Sequence, residues 1–176
     1  NAQSGYLDLS YSDDGIFTAD LGGNGFDIVY NSTLQTDGKL LLTGISNGDF
    51  AIMRLLPDGT PDPLFGNDGL SLVDYAGNSD RSHAVVVQPD GRIVIAGETQ
   101  INNQGDFAIL RILPDGTPDS TFGIHGWTVT DLGTQYEFPN CVALQADGKI
   151  VAAGRQTGTP LSDMVMVRYH PDGRVD

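Results

Sequence analysis

The chain of 176 residues carries 9 basic against 23 acidic side chains, a formal net charge of −14. Nothing in that balance supplies the basic patch that displaces counterions from nucleic acid, and anionic membrane surfaces are disfavoured for the same reason. The single cysteine excludes an intramolecular disulfide framework, and no stretch approaches the ~20 continuous apolar residues that span a bilayer.

The opening NAQSG, without an initiator Met, reads as a secretory precursor trimmed near its cleavage site or as an excised piece of a longer chain. The first predicted strand is GIFTADLG, Gly15–Gly22. A second begins near Ile28 and runs to a TDG turn, after which LLLTG returns and DFAIMRLL follows from Asp49. GLSLVDYAG, from Gly69, comes next. The same series then starts again near Ala84, with AVVVQ, RIVIAG, DFAILRIL from Asp106 and GWTVTDLG from Gly126. It starts a third time near Cys141 and stops after Asp163–Tyr169. These runs are short, rich in β-branched residues and bounded by Gly or Asp. In QPDGR and LPDGT, Pro pre-sets φ for a type I turn and Gly takes the left-handed position, a turn that joins antiparallel strands. Helix signals are absent.

The repetition is nearly total. Three units cover Asp8–Pro61, Asp62–Pro118 and Asp119–Val175, and Asp176 stands where a fourth would begin. Four antiparallel strands per unit of ~50 residues predict an all-β fold of three propeller-type blades in a single repeat domain. The segments AVVVQPDGRIVIAG, DFAILRILPDGTPD and STFGIHG resemble the delta-sixty repeat, a β-propeller family of bacterial surface and secreted proteins. The resemblance spans all three units. It implies the fold, a secreted or cell-surface setting with the signal peptide removed, and structural or adhesive use. It brings no catalytic residues. The first unit departs most, with SYSDDG and YNSTLQ in place of the usual pattern.

The ends are offset. The chain begins with an outer strand whose inner partners are missing and stops after a strand whose outer partner is missing. Three blades do not close a ring, since propellers typically have 4–8. Gly15–Gly22 is therefore expected to complete the last blade of a ring or of a neighbouring chain, unless the chain is part of a larger propeller. Unpaired edges expose backbone hydrogen-bonding groups, which favours such completion. The expected partner is a copy of itself.

Residues present in every unit are read first as serving the unit. Arg54, Arg111 and Arg168 close the third strand of each unit, and Asp49, Asp106 and Asp163 open it; a strand-to-turn clamp is weighed above an arrayed ion site. Asp37, Asp58, Asp90, Asp115, Asp147 and Asp172 precede turn glycines and are explained by turn chemistry. Calcium stays open as a cofactor, with YSDDG and GNDG offering oxygens, but no metal ligands are assigned. No catalytic or cofactor-binding residue is assigned either. Cys141 aligns with Ala84 and is expected to be small and buried, and the three histidines fall at different repeat positions. Positions that vary between units, on connections expected to share one rim, are the candidate partner surface: Arg81, His83, Gln100, Asn102, Asn103, Tyr136, Glu137 and Arg155. The resulting expectation is a non-enzymatic structural or adhesive module that self-assembles by strand exchange into a ring or filament. Its alternative is a carbohydrate-binding propeller that meets a glycan or surface protein through the variable rim.

Overall fold

The computed structural model describes residues 6–23, 25–133, 136–157 and 161–176. Residues 1–5, on which the precursor reading rests, lie outside the described residues, as do Asn24, Thr134, Gln135 and 158–160 of the connecting loops.

Every regular element of the described residues is a strand. The first unit supplies β1 (Ile28–Leu34), β2 (Leu40–Ser46) and β3 (Asp49–Leu55), and β4 (Leu70–Val73) follows. The second series is β5 (Asp80–Val87), β6 (Ile93–Ile101), β7 (Gln104–Ile112) and β8 (Trp127–Thr130). The third is β9 (Tyr136–Leu144), β10 (Ile150–Thr157) and β11 (Ser162–Tyr169). Within each series neighbours pair antiparallel in sequence order. Among the described residues no helix is long and apolar enough to cross a membrane.

The turn chemistry is realised as the residues require. In the β5–β6 turn the Gly91 N–H donates to the Gln88 carbonyl and the Gln88 N–H to the Arg92 carbonyl, at 2.9 and 2.8 Å, with Gly91 at φ +86°. The β2–β3 and β6–β7 hairpins turn on Asn47–Gly48 and Asn102–Asn103, all four at positive φ. Two such residues in succession make the tight turn whose twist matches the strands.

The three inner strands share a bulge. β5 slips register between Ser82 and Ala84, opposite Gly97. A Cβ on Gly97 would stand 2.1 Å from the Arg81 carbonyl oxygen and 2.4 Å from the Phe50 ring, so only glycine admits this approach. Gly44 and Gly154 meet the Ile28 and Phe138 carbonyl oxygens in the same way. Because the bulge breaks the alternation, β5 and β9 begin at Asp80 and Tyr136, ahead of the starts predicted at Ala84 and Cys141.

Two findings correct the predicted blade count. The eleven strands form two sheets, β1–β4 and a seven-stranded sheet in which β7 meets β9 through one parallel bridge, Gly105–Tyr136. And residues 15–22 are not a strand. Their repeat equivalents, β4 and β8, pair with β3 and β7 of the preceding unit, whereas no strand among the described residues pairs with residues 15–22. The segment instead lies over the first unit. The Ser12 N–H donates to the Asp58 carbonyl, as Gly66 donates to Asp115 and Gly123 to Asp172, while Phe17, Ala19 and Leu21 line a groove with Val29, Leu42 and Met53.

Packing follows the repeat. One core joins Phe50, Ile52 and Leu41 of the first unit to Ile93, Ile95 and Leu110 of the second. A second joins Phe107, Ile109 and Val94 to Ile150, Ala152 and Tyr169 of the third. Burying each large apolar side chain contributes about 1.5–3 kcal/mol, so these two interfaces hold the array together.

The third unit has no such cover. Met164 and Met166 occupy the positions of the buried Phe107 and Ile109 but are 96% and 69% exposed. Cys141, expected to be buried, is exposed, although its equivalent Ala84 is covered. The reason is physical: Ala84 is buried by the unit that follows it, and Cys141 has no neighbour on that face.

Candidate functional site

Two kinds of buried carboxylate recur in the array, and they differ in what neutralises them. The first kind is clamped. Arg54 Nε donates to Asp62 Oδ2 at 2.8 Å and Arg111 Nε to Asp119 Oδ2 at 2.9 Å. A second cation, Lys39 or Arg92, reaches the same carboxylate at 3.0 or 2.9 Å. The guanidinium Nη1 atoms then donate to the Pro114 and Pro171 carbonyls of the following unit. Each guanidinium also lies over a ring, Arg54 over Phe65 and Arg111 over Phe122. This clamp joins strand to turn and unit to unit. Burial works against the charge of Asp119, yet hydrogen bonds from Thr121 and Arg92 and the charge of Arg111 hold its carboxyl down at about 2.

In the second kind the aspartates form no ion pair among the described residues. At the junction of the first two units, Asp49 opens β3, Asp74 follows β4 and Asp80 opens β5, with one carboxylate oxygen of each within 4.8 Å of the others. At the next junction Asp106, Asp131 and Glu137 form the same group. The backbone builds both alike. The Tyr75 N–H donates to Asp80 at 2.6 Å and the Leu132 N–H to Glu137 at 2.8 Å, while Asp74 and Asp131 accept from Gly77 and Gly133. Asp80 and Asp106 are 0% and 4% exposed, and Oδ1 of each has no hydrogen-bond partner. None of Asp49, Asp74, Asp80, Asp106 or Asp131 forms an ion pair with a described residue.

The electrostatics match. Burial pushes Asp80 up to about 6, Asp74 and Asp49 adding to the shift while the Thr99 hydroxyl and the Tyr75 N–H oppose it. Burial likewise pushes Asp106 up to about 6, with the charges of Asp131 and Glu137 adding. Asp49 is raised by burial and by Asp74.

The residues proposed from sequence for a partner surface fall on the same end of the array. The Asp80 N–H donates to the Gly48 carbonyl and the Gln100 N–H to the Ser79 carbonyl, which ties the β4–β5 connection to the β2–β3 turn and to β6. Arg81 pairs with the buried Glu98 at 3.2 Å, and His83 lies 5.3 Å from the Tyr30 ring. Asn102 and Asn103 form the β6–β7 turn. Tyr136 stacks on Phe138, and Arg155 lies over the other ring of that pair. Glu137 is fully buried and belongs to the second acid group, so it is no rim contact. The YSDDG and GNDG segments belong to neither group.

Comparison with known proteins adds one finding. Residues 35–65, 88–122 and 145–176 match the family described as "Domain of unknown function (DUF5122) beta-propeller", which takes in more than half of the chain. The chain belongs to the DUF5122 β-propeller family. Each matched segment of the DUF5122 repeat holds the clamp arginine and the aspartate that opens the third strand. The remaining two acids of each group lie outside the matched segments, Asp74 and Asp131 in connections and Asp80 and Glu137 at the starts of β5 and β9. No relative among characterised proteins was found.

Sequence reasoning singled out Asp49, Asp106 and, as a rim contact, Glu137, but not Asp74, Asp80 or Asp131. The signal was present: Asp20, Asp74 and Asp131 stand at one repeat position and Asp27, Asp80 and Glu137 at another. They were passed over because the connections were compared for their differences only.

Proposed function

We propose that this chain is a non-enzymatic structural module, secreted or surface-exposed and adhesive in use, that assembles with further copies of its own repeat. One observation carries the reading. Positions buried between units in the first two repeats, Phe50, Ile52, Phe107 and Ile109, return in the third as the exposed Met164 and Met166. A face built to pack against a repeat unit is thus presented without one, and the opposite face of the first unit, with Val29 and Leu72 exposed, is its natural complement.

In the finer form of this reading the units are propeller blades of the delta-sixty type. Residues 16–19 of a second copy then serve as the outer strand of the third. By repeat equivalence with the β3–β4 and β7–β8 registers, Met164 would face Ala19 and Val165 would face Thr18. A heterologous contact of this kind closes into a ring or runs on as a filament.

Light scattering over a range of concentrations tests the assembly. The expected mass is a multiple of 18.7 kDa, falling to 18.7 kDa in a Met164→Glu, Met166→Glu variant. A wild-type mass of 18.7 kDa at every concentration refutes it. A second reading, carbohydrate recognition, is favoured by the stacked Tyr136–Phe138 pair with Arg155 over it at the rim. Retention on a glycan array, lost in Tyr136→Ala, would support that use.

A further inference from the structure

The two acid groups are a costly way to build a junction unless something offsets their charge. Buried carboxylates are ordinarily paired, hydrogen-bonded or bound to a metal, because isolated ionised groups are expensive to remove from water. The clamp carboxylates obey this rule through Arg54, Arg111, Lys39 and Arg92. Asp80 and Asp106 of the acid groups do not: three carboxylates converge at each junction, no described cation touches Asp80 or Asp106, and a buried oxygen of each is left without a donor. That the same arrangement is built twice, from equivalent residues and equivalent backbone hydrogen bonds, makes an accident of packing a poor account.

We propose that each junction holds one hard divalent cation of calcium's size, the first on Asp49, Asp74 and Asp80 and the second on Asp106, Asp131 and Glu137. All-oxygen ligation selects such ions over those that prefer nitrogen or sulfur. The spread fits as well. Two oxygens on opposite sides of one calcium, each at 2.3–2.6 Å, stand about 5 Å apart, and the candidate ligand atoms lie within 4.8 Å of one another.

The repeat extends the inference. Asp163 is the third-unit equivalent of Asp49 and Asp106, and Asp20 and Asp27 are the equivalents of the other two members. Asp20 and Asp27 are already arranged like their counterparts: the Leu21 N–H donates to Asp27 at 2.9 Å and the Gly22 N–H to Asp20 at 2.9 Å. The third site is therefore divided between the two ends of the chain, Asp163 on β11 and the other two on the first unit. It is completed where the third unit of one chain meets the first unit of another, and this part rests on the self-assembly reading. The cation then bridges copies as it bridges units.

Isothermal titration of the 176-residue chain with calcium chloride tests the proposal, after treatment with a chelator and at constant ionic strength in potassium chloride. Two ions per chain are expected for a monomer and three for an assembled particle. Asp80→Asn and Asp106→Asn should each remove one ion and the double variant both internal ones, while far-ultraviolet circular dichroism reports that the fold is kept. Calcium at a hundred-fold excess over Kd should raise Tm by about 10–20 °C in the wild type, where two ions bind, and not in the double variant. No heat at millimolar calcium, or binding unchanged in the double variant, overturns the two internal sites. Two ions on an assembled particle, or a third that survives Asp163→Asn, overturns the divided site alone. A monomer that binds two ions sinks the self-assembly reading and leaves the internal sites standing.

Discussion

At the scale of single residues, an acidic protein spends its few cations where they do most. Arg111 holds Asp119, reaches the next unit through the Pro171 carbonyl and covers the Phe122 ring, all from a buried position. Arg92 stays beside Asp119 when Arg111 is removed, but the buried carboxylate loses its better-buried partner and the junction its Pro171 contact, so Arg111→Ala should cost about 3 kcal/mol and lower Tm by roughly 10 °C. Arg168 makes the corresponding contact to Asp176 at an exposed position, and Arg168→Ala should leave Tm almost unchanged. Thermal melts of the two variants check this contrast, and equal losses would contradict it. The clamp also sets an acid limb. Asp119 titrates at about 2 in the folded chain against 3.8 for the free group, so the unfolded state binds its proton first as pH falls. Its contribution is complete above the unfolded value and is lost between about pH 4 and pH 2. In Asp119→Asn, Tm at pH 5 should be lower and its fall from pH 4 to pH 2 shallower than in the wild type.

At the scale of elements, the strands were largely legible because their signals are local. Pro–Asp–Gly turns, β-branched runs and glycine boundaries fix hairpins through the conformational limits of a few residues, and β2, β3, β6, β7, β10 and β11 lie where those signals put them. The failures have non-local causes. Residues 15–22 have the composition of β4 and β8, but a strand needs a partner, and composition does not say whether one is within reach. The bulges opposite Gly97 and Gly154 hid the starts of β5 and β9, because an extra residue inverts the alternation used to read them. Gly97→Ala tests the bulge. Its Cβ would meet the Arg81 carbonyl and the Phe50 ring, and overpacking of that kind costs about 1–3 kcal/mol or more, so Tm should fall by several degrees. An unchanged Tm would show that the strand can relax there. The acid groups were half legible: Asp49 and Asp106 recur at a regular strand position, whereas Asp74 and Asp131 lie in connections of differing length and Asp80 and Glu137 at strand starts that the bulges obscure.

At the scale of the whole molecule, the internal repeat serves as its own control. Phe107 and Met164 occupy equivalent positions in equivalent strands, and one is buried while the other is exposed. Only the neighbour differs. The same comparison explains Cys141, whose thiol should react readily with a maleimide in dilute solution and become protected as the concentration rises. It also unites the two proposals, since the covering of the last face and the completion of the divided acid group require the same encounter between chains. The most direct measurement introduces Thr18→Cys and Val165→Cys into a Cys141→Ala background and follows disulfide formation under mild oxidation by mass. Directly paired antiparallel residues bring Cα atoms within the range a disulfide requires. The account predicts covalent species at multiples of the chain mass in the double-cysteine variant, and no such species under the same oxidation in either single-cysteine variant. A product that remains a single chain with both thiols free, at concentrations where the protein is folded, would contradict it.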